Sequence, residues 1–84
     1  MGDGLILTFE TVTYANNYFN IGEYDKTLNY LNLGLKICEE QGYKRKIVDY
    51  LNQFGDVHLL KGENDQALDY YTRSIDIIKE LMRW

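Results

Sequence analysis

Glycines stand at Gly22, Gly42 and Gly62, spaced evenly by twenty residues. Each follows a stretch whose apolar residues recur every three or four positions, the pattern of an amphipathic helix. A glycine just past such a stretch lets the chain leave the helix through the left-handed region that other residues avoid. The chain is therefore expected to be cut into four helices, roughly 5–20, 25–41, 44–61 and 65–83. Asp25 or Glu23 is placed to cap the second, and Asn64 or Asp65 the fourth. No proline interrupts any of them in 84 residues, and proline is the residue helix interiors tolerate worst.

The spacing has a second layer, because the chain repeats itself at forty residues. Gly22-Glu23-Tyr24-Asp25 returns as Gly62-Glu63-Asn64-Asp65, and Tyr14-Ala15 as Phe54-Gly55. Leu28, Tyr30, Ile37 and Glu40 have Leu68, Tyr70, Ile77 and Glu80 at the same offset. A period of this size denotes stacked helical pairs. The expected fold class is all-α: two stacked helix-turn-helix hairpins forming one domain over 1–84. Its units run from about 8 to 41 and from about 44 to 83.

Tyr14, Ala15, Tyr18, Gly22, Tyr24, Leu31 and Gly34 in the first unit resemble the tetratricopeptide repeat pattern. So do Leu51, Phe54, Gly55, Gly62, Ala67, Tyr71 and Ser74 in the second. The resemblance spans nearly the whole chain. Its period is the longer, forty-residue type rather than the commoner one of about thirty-four. Longer-period members include kinesin light chains, spindle polarity adaptors and bacterial peptide-sensing regulators. Thr27 stands where the family prefers alanine, and His58 where it prefers tyrosine. The small residues Ala15, Gly34, Gly55, Ala67 and Ser74 are the expected points of close helix approach.

The resemblance implies a right-handed superhelix whose first helices line a concave groove, and a protein–protein interaction module acting as scaffold or adaptor. Carried over position by position, the groove would be lined by Phe9, Val12, Asn16 and Asn20. The third helix would add Asp49, Asn52, Asp56 and Leu59, or Leu60 in place of Leu59. The amides suit a peptide backbone, because each both donates and accepts. In the chaperone-binding branch of the family a cationic clamp holds a peptide's terminal carboxylate. Here Asn16 matches one clamp position, but Val12, Asp49 and Asp56 surround it, so a neutral or basic segment is expected instead.

Composition bears on what the chain is not. With nine Lys and Arg against thirteen Asp and Glu, the net charge is −4, and the basic face that phosphate binding requires is missing. The one basic cluster, Lys44-Arg45-Lys46, reads as a solvated first turn. A lone cysteine, Cys38, forms no internal disulfide framework and falls at an apolar core position. Neither a membrane-length apolar run nor a signal-peptide pattern is visible, so a cytoplasmic protein is expected. His58 with Cys38 and Asp56 is too sparse for a zinc site, and no phosphate loop or nucleophile motif occurs. The chain is read as a non-enzyme without cofactor or metal. Tyr43 and Tyr50 have no assigned repeat position and are expected at the surface.

The fourth helix carries an apolar arc too broad for one neighbour. It comprises Leu68, Tyr70, Tyr71, Ile75, Ile77, Ile78, Leu81, Met82 and Trp84. Solenoids usually end on a polar face. Leu68, Tyr71, Ile75, Ile78 and Met82 are therefore the expected self-association face, making a homo-oligomer or the docking of a partner helix the expectation. Two further readings stand beside the interaction module: a self-assembling structural repeat, and an excised piece of a peptide-sensing regulator.

Overall fold

The computed structural model describes residues 3–83, with side chains from residue 11 onward. It consists of α1 (Asp3–Asn20), α2 (Tyr24–Gln41), α3 (Lys44–Leu60) and α4 (Asn64–Leu81). The turns between them are two or three residues long, which forces consecutive helices to run antiparallel. α1 packs on α2, α2 on α3 and α3 on α4, giving the two stacked hairpins expected from the repeat. Among the described residues there is no strand.

The glycines end helices as anticipated. Gly22, Gly42 and Gly62 have φ of 80°, 72° and 82°. The residue after each donates its N–H back five positions: Glu23 to Tyr18 (2.9 Å), Tyr43 to Cys38 (3.0 Å) and Glu63 to His58 (2.8 Å). This is the Schellman arrangement, which satisfies carbonyls that a helix end leaves open. A Cβ added at Gly62 would meet nothing within 4 Å, so the whole cost of a side chain there is backbone strain. Gly62→Ala is expected to destabilise the fold by about 1–2 kcal/mol, read from urea melts. An unchanged midpoint would contradict the assignment.

The capping expectation needs correction. The N-cap positions are Glu23, Tyr43 and Glu63, and none makes a side-chain cap hydrogen bond. Asp25 and Asp65 lie inside the first turn of their helices, and Asn64 is the first residue of α4. The reason is the turn itself. Once the residue after the glycine has spent its N–H on the preceding helix, the next helix begins immediately. The Glu63 carboxylate instead accepts from His58 Nδ1 at 2.8 Å.

The core is centred on α2 and α3, where Leu31, Leu35, Cys38, Tyr50, Leu51, Phe54 and Val57 bury themselves with Ala15 of α1. Cys38 is wholly buried, and burial is the main cause that raises its thiol pKa above the ordinary value. Along one edge each hairpin carries an aromatic stack in the same register. Tyr30 lies between Tyr14 (5.2 Å) and Tyr18 (5.6 Å), and Tyr70 between Phe54 (5.0 Å) and His58 (5.3 Å). His58 thus fills the place of Tyr18 as a packing ring.

Tyr50 was expected at the surface and is 2% exposed. It reaches from α3 across Gly34 of α2 to the hydroxyl of Thr11 on α1, at 3.0 Å. One side chain therefore joins three helices, in a space that exists only because residue 34 has no side chain.

Candidate functional site

α1 and α3 face each other across a shallow trough made of two clefts. The first, of about 180 Å3, is lined by Asn16 and Phe19 from α1, Thr27 from α2, and Gln53, Asp56 and Val57 from α3. The second, of about 400 Å3, is lined by Val12, Lys46, Asp49, Tyr50, Asn52 and Gln53. Gln53 borders both, so the two clefts adjoin at its side chain. The floor is closed by side chains already engaged. Thr27 donates its hydroxyl to the Glu23 carbonyl at 2.9 Å, and Tyr50 is tied to Thr11. The amides of Asn16, Asn52 and Gln53 supply paired donors and acceptors. Asp49 and Asp56 give two negative charges against the single positive charge of Lys46.

Asp56 is held from behind. Tyr71 of α4 donates its hydroxyl to Asp56 Oδ1 at 2.5 Å. That hydrogen bond is the main cause that lifts the Tyr71 pKa from 10 to about 12, with burial and the Asp56 charge adding to it. Because the folded value lies above the unfolded one, the bond's contribution is complete below pH 10 and is lost as pH rises through about 12. In a tyrosinate absorbance titration, one ionisation is expected near pH 12 and should be missing in Tyr71→Phe, while Tyr50, raised mainly by its burial, keeps its own. Loss of a step near the ordinary value of 10 instead would show that the bond to Asp56 does not raise this hydroxyl.

Of the residues expected in the groove, Val12, Asp49 and Asn52 line the larger cleft, and Asn16 and Asp56 the smaller. Asn20 and Leu59 are exposed and line neither. Leu60 is likewise exposed and outside both. Phe9 lies on α1, but its side chain is outside the described residues. Gln53 and Lys46 belong to the site and were not anticipated. The series Lys46, Asp49, Gln53, Asp56 advances by three, four and three residues, one helical face, and would have found them. On α4, Leu68, Ile75, Ile78 and Met82 are exposed, whereas Tyr71 is half-buried with its hydroxyl on Asp56. Trp84 lies outside the described residues.

Among the described residues no three of His, Cys, Asp and Glu gather to hold a metal ion. No helix among them is long and apolar enough to cross a membrane. Lys44 of the basic cluster pairs with Glu80 at 3.0 Å on the surface, while Lys46 turns into the trough.

A protein-family model described as tetratricopeptide repeat matches residues 7–80. No curated protein and no solved structure matches the chain.

Proposed function

The chain belongs to the tetratricopeptide repeat family, a family of protein–protein interaction modules, and we propose that it holds a neutral or basic peptide segment of a protein partner in the α1–α3 trough. The observation that carries this reading is the pair of clefts that adjoin at Gln53 between α1 and α3, lined by amides and two carboxylates. Side-chain amides match the donors and acceptors of an extended backbone, and Asp49 and Asp56 repel an acidic one. Binding rather than chemistry suits the lining: besides the amides and carboxylates it holds the Lys46 amine and two hydroxyls, Thr27 and Tyr50, that are already engaged. A single buried cysteine supports a reducing, cytoplasmic setting.

The test uses labelled peptides of one length and graded net charge, followed by fluorescence anisotropy. Basic and neutral peptides should bind, acidic ones should not, and Asp49→Lys should narrow the difference. Asn16→Ala with Gln53→Ala should weaken the binders about tenfold or more. Tightest binding of acidic peptides, or indifference to the amide substitutions, would sink the proposal.

A further inference from the structure

α4 leaves open a stripe that its repeat equivalent, α2, keeps covered. Leu68, Tyr71, Ile75, Ile78 and Met82 recur at alternating intervals of three and four residues, the spacing that lays side chains in a line against a second helix. On α2 the same line is Leu28, Leu31, Leu35 and Cys38. There α3 packs along it, leaving Leu31 and Cys38 at 0% and Leu35 at 9% exposure. On α4, Leu68 is 65% exposed, Ile75 50%, Ile78 38% and Met82 77%. The side turned to α3 is marked by Ala67 and Ser74 at 1% each, and Tyr71 stands on the boundary, half-buried with its hydroxyl on Asp56 of α3. The molecule itself thus shows what such a line accepts. α3 follows α2 through the tight turn at Gly42, so the occupant of the α2 line is an antiparallel helix.

We propose that the α4 stripe is covered by α4 of a second copy, running antiparallel about a two-fold axis near Arg73. This goes beyond the trough, whose Asn16, Gln53 and Asp56 lie on other helices. Charge selects both the occupant and its direction. The residues bordering the stripe on its solvent side are Asp65, Thr72 and Lys79, seven residues apart. They run from acidic through neutral to basic. Antiparallel pairing sets Asp65 beside Lys79 of the second copy, twice by symmetry, with Thr72 meeting Thr72 at the centre. In the same register Leu68 meets Ile78 and Tyr71 meets Ile75, which fills the seam with apolar pairs. Five side chains per copy make a small interface, so association in roughly the micromolar range is expected.

Sedimentation equilibrium of the intact chain over a range of concentrations tests this. The mass should rise from 9.9 kDa to twice that value. Ile75→Glu with Ile78→Glu should hold it at the monomer with helix content by circular dichroism unchanged. Asp65→Lys and Lys79→Asp, both at exposed positions, should each weaken the dimer about tenfold, and combined should restore it. These charge variants decide the matter even if the glutamates disturb folding. A monomer at all concentrations, a dimer indifferent to the stripe substitutions, or no restoration by the combined charge exchange would overturn the proposal.

Discussion

Phe54→Ala is expected to cost about 3–5 kcal/mol of folding stability, while Tyr14→Ala, at the equivalent place in the first hairpin, should cost only about 1–2 kcal/mol. Phe54 is 2% exposed and stacks on Tyr70, so its removal opens a cavity in the α2–α3 core. Tyr14 stacks on Tyr30 in the same manner but is 51% exposed, and water can enter where it leaves. At about 0.05–0.15 kcal/mol per residue, a chain of 84 residues has little to spare. The Phe54 variant should be partly unfolded without denaturant. Urea melts followed by circular dichroism read both. Equal losses would mean that the repeat's symmetry in sequence extends to its energetics, contrary to the burial seen here.

Gly34→Leu should be the second large loss, about 3 kcal/mol, at the upper end for overpacking a core. Two effects oppose each other at this site. Leucine in place of glycine within a helix gains up to about 1 kcal/mol of propensity. Against it, even a Cβ at residue 34 would overlap the Tyr50 ring. That ring is buried, with its hydroxyl held by Thr11, so it has nowhere to move and the steric term wins. Gly55 offers the contrast. A Cβ there meets the ring of Tyr71, which is half-buried and can swing toward solvent for the loss of its bond to Asp56. Gly55→Leu should therefore cost less than Gly34→Leu. Adding Tyr50→Ala to Gly34→Leu should produce a smaller loss than the sum of the two singles, since each removes part of the other's conflict. Additive losses would disprove the contact.

The two surfaces proposed for binding differ in how far they could be read in advance. The α4 stripe is a matter of spacing along one helix, so Leu68, Ile75, Ile78 and Met82 could be named from periodicity alone. The trough is shared between helices, and its membership depends on how α1 and α3 are turned toward each other. Val12, Asn16, Asp49, Asn52 and Asp56, named from their place in the repeat, line the two clefts. Gln53 and Lys46 hold no marked position in the repeat, and only the way α3 is turned toward α1 sets them beside Asp49 and Asn52 in the larger cleft. Asn20, at the end of α1, and Leu59, near the end of α3, are exposed and fall outside both clefts.

Four helices, their breaks at glycine and their antiparallel pairing were legible in the chain alone. These follow from local causes: a left-handed residue at Gly22, Gly42 and Gly62, apolar periodicity between them, and turns too short to let neighbours run parallel. Which equivalent positions share an environment depends on packing. Tyr14 and Phe54 occupy the same place in the repeat, yet one is 51% exposed and the other 2%, because α3 packs on both α2 and α4 while α1 packs chiefly on α2. Tyr50 was beyond local reading for a related reason. Its burial depends on Gly34 sixteen residues before it and Thr11 thirty-nine before it, and no pattern within its own helix records that those two would be brought to the same point.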